Sequence, residues 1–242
     1  MEYDVAIIYF GLTRTIKKVY ESHINNIFNK FKQYNTTYKI FMHTWKTNDN
    51  KQKIWNNIIS NEIDYNEYKL LNPDFYKLDN QDDYLQVLSM DKYFYQDVWD
   101  KYGDDGANGE WLPYLIRNHL CALESQKRGL EMVEDYVEKG NTFKHVMFVR
   151  PDVLIHDNIP LYESLSLYDI SIPNDNQYEG YNDRFAFVKY DKAALYGKRI
   201  NEVAEFRKTN GRIVSEKYTK FIITKYNLNV HLINFRFEII RP

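Results

Sequence analysis

The chain has 242 residues, 44% of them hydrophobic and 27% charged, which is enough to bury the core of one large domain. A net charge of −2 excludes a chain made mainly for nucleic acid, which would carry a strong basic excess, and leaves no polybasic patch for an anionic membrane. The single cysteine, Cys121, excludes an internal disulfide, and there is no zinc-type Cys/His spacing.

No apolar stretch approaches the roughly 20 residues of a membrane helix. The opening run MEYDVAIIYF has no basic region ahead of its apolar residues and does not read as a signal peptide. The expected setting is reducing and cytoplasmic.

Residues Asp4–Phe10, rich in β-branched and aromatic side chains, predict a buried strand that ends at Gly11. A helix follows to about Phe31, with Ile16, Val19, Tyr20, Ile24, Ile27 and Phe28 at helical spacing. Tyr38–Trp45 predicts a second buried strand. The polar stretch after it holds a predicted helix, Gln52–Ser60, and a candidate strand, Tyr68–Leu71. The Gly/Asp-rich run Gly103–Gly109 is a candidate substrate-covering loop. Trp111–Lys139 is the longest helical pattern, closed by Gly140-Asn141. His145–Val149, Asp169–Pro173 and Arg184–Tyr190 predict strands, and Lys192–Lys208 and Ser215–Tyr226 predict helices. Asn229–Ile240 forms one last strand-like run. The alternation predicts a single-domain α/β fold, an open, mostly parallel sheet mixed at one edge and flanked by helices.

Ligands of such sheets bind where strands end, because the loops there converge on a crevice. Three polar groups follow apolar strands here: Gly11-Leu12-Thr13-Arg14, His43-Thr44-Trp45 and Arg150-Pro151-Asp152. Gly11 lets a ligand approach the backbone, and Thr13 and Arg14 can bond a phosphate or a base, although the same residues also make an ordinary strand-to-helix turn. His43 and Trp45 suit either a crevice mouth or a buried sheet edge. Arg150 and Asp152 are costly to bury unless they pair or bind a ligand. Asp152 can coordinate Mg²⁺ or Mn²⁺ on a diphosphate, and Arg150 can bind the diphosphate directly. An internal Arg150–Asp152 ion pair competes with both uses.

The loop Glu179–Phe185 groups Asn182, Asp183 and Arg184 before an apolar strand. Asp183 can take a proton from an acceptor hydroxyl, or Asn182 and Asp183 can cap a turn. Arg117, Ser125, Gln126, Lys127 and Arg128 lie along the long helix, where the ordinary reading is a solvated face. Cys121 reads as a buried structural thiol. Neither the dinucleotide-binding glycine fingerprint nor a P-loop is present.

The ordered set FGLTRT, FMHTW, FVRPDVLI, YNDRFAFV, VSEKY and IIRP resembles the GT-A-type glycosyltransferases of bacterial surface polysaccharide loci and large DNA viruses, and the resemblance spans nearly the whole chain. It implies a Rossmann-like GT-A fold, a nucleotide-diphosphate sugar donor with UDP favoured over GDP, a glycan or glycoconjugate acceptor, and a divalent metal such as Mn²⁺ or Mg²⁺. Under it Gly11, Thr13 and Arg14 contact the nucleotide. His43, Trp45, Arg117, Asn182 and Arg184 join the binding set, Asp183 is the catalytic or acceptor-binding carboxylate, and Glu216 matches a late acidic position of undefined role. Arg150 replaces the first carboxylate of the Asp-x-Asp pair that many members carry, so Asp152 remains as the metal ligand. The competing functions are a sugar nucleotidyltransferase and a non-catalytic nucleotide-sugar-binding or scaffold domain.

Overall fold

The computed structural model describes residues 1–51, 62–93, 113–210 and 213–241. The expected helix Gln52–Ser60, the loop Gly103–Gly109 and Trp111 lie outside the described residues.

Seven strands form one sheet in the order β3-β2-β1-β4-β7-β6-β8, where β1 is Glu2–Gly11, β2 Tyr38–Lys46, β3 Phe75–Asn80, β4 Thr142–Val149, β6 Ile170–Pro173, β7 Phe185–Lys189 and β8 Val230–Ile233. The β1–β2, β1–β4, β2–β3 and β6–β8 pairs are parallel, and β7 runs against both of its neighbours. A separate two-stranded ribbon pairs β5 (Val153–Ile155) with β9 (Phe237–Ile239). This is the expected open, mostly parallel α/β sheet.

Strand β1 is buried without interruption from Val5 to Phe10 because helices and loops cover both of its faces. Its side chains alternate between two cores. Val5, Ile7 and Tyr9 pack with Ile16, Ile27 and Phe31 of the first helical segment, while Ala6, Ile8 and Phe10 pack with Leu130 and Val133 of the long helix. Burying each large aliphatic side chain contributes about 1.5–3 kcal/mol.

The first helical segment comprises α1 (Ile16–His23), a π-helical turn (Ile24–Phe28) and α2 (Asn29–Gln33). The remaining α-helices among the described residues are α3 (Gln81–Val87), α4 (Pro113–Glu138), α5 (Tyr162–Ser166), α6 (Ala193–Gly197), α7 (Val203–Asn210) and α8 (Ser215–Lys225). Gly140 follows α4 with φ +87°, the left-handed stop expected there.

Three expectations are corrected. Tyr68–Leu71 is part of a 3₁₀ turn, Glu67–Leu71, and the third strand lies just after it, at Phe75–Asn80. The Lys192–Lys208 pattern divides at Gly197, where α6 ends and a 3₁₀ turn, Arg199–Glu202, leads into α7. Asn229–Ile240 becomes two strands in two different sheets, because residues 234–236 carry the chain from the β6 edge to the ribbon. No helix among the described residues is long and apolar enough to cross a membrane.

Candidate functional site

The chain moves from β1 to one side of the sheet through β2 and β3, then returns to the other side of β1 at β4. The β1/β4 border is therefore the point where strand order reverses, and the crevice beyond the strand ends at such a point is the usual ligand site. Register sets the two loops side by side: Tyr9 pairs with Val149, so residues 11–15 and 150–152 leave the sheet together. The reversed strand β7 brings its entry loop to the same edge, since Val149 pairs with Phe185 and Arg150 N–H donates to Arg184 O at 3.1 Å.

At the border Asp152 is 1% exposed and is held by two arginines. Arg150 donates from Nε to Oδ1 at 2.9 Å and from Nη2 to Oδ2 at 2.7 Å, and Arg14 Nη2 donates to Oδ2 at 2.9 Å. Burial alone would raise the Asp152 carboxyl, but the charges of Arg150 and Arg14 outweigh it and hold the group far below the usual carboxylate range. Thr13, beside Arg14, is fully buried, and its Oγ1 meets no partner among the described residues. Gly11 has φ +101° with nothing among the described residues within 4 Å of where a Cβ would sit, so the turn favours glycine and these residues leave space beside its backbone.

The divalent-metal expectation meets an unsuitable donor set. Both Asp152 oxygens accept guanidinium hydrogens, and Arg14 and Arg150 place positive charge where a cation would go. Among the described residues there is no group of three or more His, Cys, Asp or Glu side chains arranged to hold a metal ion. Hard cations require several oxygen ligands.

A second cluster forms where the β7 entry loop meets the N-terminus of α8. Gly180 makes this approach possible: a Cβ there would lie 1.9 Å from Glu216 O. Tyr181 N–H donates to the same carbonyl at 3.0 Å. Arg184 Nη2 bonds Glu216 Oε1 at 3.2 Å, its Nη1 lies 3.9 Å from Asp183 Oδ1, and Asp183 Oδ2 is 4.0 Å from His119 Nδ1. Burial and the Asp183 charge raise the Glu216 carboxyl to about 7. Burial also opposes ionisation of Asp183, yet Arg184, His119, Arg150 and Arg199 together hold it below its ordinary value. His119 is lowered to about 4, mainly by burial. The two carboxyls are thus driven apart, one kept ionised and one titrating near neutrality, as an acid/base site requires.

The remaining expected residues occupy supporting positions. Asn182 is fully buried and forms an Asx turn: its Oδ1 accepts Arg184 N–H at 2.9 Å while its Nδ2 donates to Asp175 O at 3.2 Å. His43 and Trp45 lie behind the crevice rather than at its mouth. Trp45 is 1% exposed and donates Nε1–H to Cys121 O at 2.9 Å. His43 is fully buried, with Nδ1 2.8 Å from Ser125 Oγ and Nε2 3.1 Å from Asp79 Oδ2. Arg117 reaches Asn118 Oδ1, its neighbour on α4, at 3.4 Å.

Two residues of the supposed solvated helix face are fully buried and structural. Ser125 Oγ accepts Gly11 N–H at 2.8 Å and fixes the exit of β1. Gln126 Oε1 accepts from Arg199 Nη1 at 2.5 Å. Arg199 is 1% exposed, its guanidinium carbon lies 3.9 Å from the Tyr196 ring centroid, and its charge reaches Asp183. Nothing in the sequence pattern around Arg199 singled it out. His119 and Arg199 lie within helical patterns, and only the folded chain directs them at Asp183.

No protein-family model matches the chain, and comparison with curated proteins yields no match. Among solved structures, the chain is similar to mouse xyloside xylosyltransferase 1 in its apo form (TM-score 0.44, 11% identity, covering 96% of this chain and 85% of that one). It is also similar to a glycosyltransferase involved in glycosylation of the major capsid of PBCV-1 (TM-score 0.39, 10% identity, 96% and 82% covered). At such TM-scores these likenesses leave the function to be read from the site itself.

Proposed function

We propose that the protein is a GT-A-like glycosyltransferase that moves a sugar from a nucleoside-diphosphate donor, with UDP favoured and GDP as the alternative, to a hydroxyl of a glycan or glycoconjugate. One observation carries this reading: the cationic pair Arg14 and Arg150 at the strand-order reversal sits beside the carboxyl pair Asp183 and Glu216, across the β4/β7 border. Transfer requires both kinds of group. The bond between the anomeric carbon and the diphosphate oxygen breaks, and its electron pair leaves with the phosphate, where guanidinium charge stabilises it. The acceptor oxygen bonds to the same carbon and gives up its proton to a base.

Of the two carboxyls, Glu216, raised to about 7, has the basicity suited to taking that proton near neutral pH, and Asp183, kept ionised, raises that basicity through its charge. From sequence, Asp183 was the expected catalytic or acceptor-binding carboxylate and Glu216 had no defined role; here the proton goes to Glu216. The charges of Arg184, Arg150 and Arg199 around Asp183 keep it ionised and make it a poorer base.

The test is incubation with a panel of UDP- and GDP-sugars. Sugar-dependent release of nucleoside diphosphate is expected. Release of pyrophosphate from a sugar phosphate and nucleoside triphosphate would instead identify a nucleotidyltransferase, and no turnover and no binding would leave a scaffold.

A further inference from the structure

The β1/β4 loops and the C-terminal strap are joined at one point. Strand β9 pairs antiparallel with β5, placing Ile239 opposite Val153. The next residue, Ile240, is pinned from both sides: its N–H donates to Asp152 O at 3.0 Å, and its carbonyl accepts from Thr15 Oγ1 at 3.0 Å. Arg241 therefore leaves the strap at the crevice, where its charge is felt by Arg14. It is exposed.

Two arginines, Arg14 and Arg150, thus hold one buried carboxylate, and a third, Arg241, follows the residue tied to both loops and places its charge within range of Arg14. Repulsion among like charges opposes such a grouping, and Asp152 offsets only one of them. An excess of positive charge at a strand-order reversal suits an anionic ligand. Two further features point to a ligand: among the described residues the buried Thr13 hydroxyl has no partner, and nothing fills the space beside Gly11. Arg150 uses Nε and Nη2 on Asp152, and its side chain is 26% exposed, so it is not sealed away from a ligand.

We propose that this arginine cluster takes the place of a divalent cation: Arg14, Arg150 and Arg241 bind the diphosphate of the donor directly, and Asp152 serves to order the guanidinium groups rather than to ligate metal. The proposal rests on the nucleotide-sugar reading above. It assigns the C-terminal strap a binding role, because Ile240 positions Arg241 and ties the β1 exit loop to the β4 exit loop.

The experiment is calorimetric titration of the full chain with UDP, GDP and inorganic pyrophosphate, in EDTA and again with excess Mn²⁺ or Mg²⁺. The expected result is a dissociation constant that changes by less than about threefold between EDTA and metal, a difference of under 1 kcal/mol. Binding that is roughly tenfold or more tighter with metal overturns the cluster and leaves the glycosyltransferase reading intact. Absence of binding by any of the three probes under both conditions overturns both. Arg241 is exposed and its replacement spares the core, so Arg241→Gln is the variant to compare. Its affinity for pyrophosphate in EDTA is expected to fall by roughly tenfold, the size of one charge-assisted contact, with an unchanged melting temperature. Unchanged affinity removes Arg241 from the site and overturns the three-arginine cluster.

Discussion

At the scale of single residues, the site divides into a carboxylate that organises and a carboxyl that titrates. Asp152 belongs to the first kind. Asp152→Asn leaves two partly buried guanidinium groups without their buried counter-charge; breaking a fully buried pair costs about 3–5 kcal/mol, and partial exposure of the arginines makes the loss here smaller. Thermal unfolding should therefore show a clear drop in melting temperature for Asp152→Asn, even without nucleotide. A melting temperature equal to that of the parent would show that the ion pairs contribute little to folding. Glu216 belongs to the second kind. The rate of transfer should rise with pH through about 7, as Glu216 loses its proton, and the same rise should be absent from Glu216→Gln. In that variant the rate should fall by roughly 10²–10⁴-fold, the usual worth of general base catalysis, with nucleotide affinity little changed. Asp183→Asn tests the alternative assignment. If that variant, rather than Glu216→Gln, abolishes the pH dependence, then Asp183 is the base.

At the scale of elements, the site depends on close approaches that one added methyl disrupts. Gly180 lies against the first turn of α8, and the nearest atoms to an added Cβ are backbone atoms, Glu216 O at 1.9 Å and Glu216 C at 2.0 Å. Backbone cannot rotate away as a side-chain end can, so Gly180→Ala must push the β7 entry loop off α8. Overpacking of this kind typically costs about 1–3 kcal/mol, and here it also separates Arg184 from Glu216. The expected outcome is a lower melting temperature together with a Glu216 pH profile shifted from that of the parent. Retention of both would mean that the loop has room to relax. Ser125 on α4 plays a comparable part for β1, because its hydroxyl accepts Gly11 N–H and meets His43. The long helix thereby sets the exit angle of the strand that carries Thr13 and Arg14.

At the scale of the whole molecule, four buried histidines govern the response to acid. His23, His43, His119 and His145 are each lowered to about 4, with burial the largest cause. Unfolded histidine titrates near 6.5, so between that value and about 4 the unfolded chain binds more protons than the folded one. Their contribution is complete above pH 6.5 and is lost as pH falls. Glu216 acts in the opposite sense: with a folded value raised to about 7, it contributes stability below about 4.5 that is lost as pH rises through 7. Four groups against one leave a net of about three protons and a net loss on acidification, on the order of 4 kcal/mol per pH unit near pH 5.5 if each proton counts for about 1.4 kcal/mol. Melting curves between pH 7.5 and 5 should show a steady fall in melting temperature. A flat profile would mean that these imidazoles ionise within the fold.

Local pattern alone determined much of this protein. The continuous apolar runs of β1, β2 and β4 demand burial on both faces, the helical spacing in α1, α4 and α8 is dense, and Gly11 and Gly140 mark the ends of their elements. Those signals are carried within a few residues of one another, so they survive without knowledge of neighbours. The polar ends at Arg14, Arg150 and Asp152 were legible for the same reason, as charges placed directly after buried strands. Two strands were not: β3 has exposed and partly buried residues only, and β5 is just Val153–Ile155. Tertiary structure decided how the legible pieces meet. Only strand order places Arg14 and Arg150 on one carboxylate, only the reversal of β7 turns an entry loop toward the crevice, and only the return of the β9 strap brings the charge of Arg241 within range of Arg14. Charges separated by more than a hundred residues interact through space, and their protonation follows from burial and neighbours that the linear order of residues does not contain.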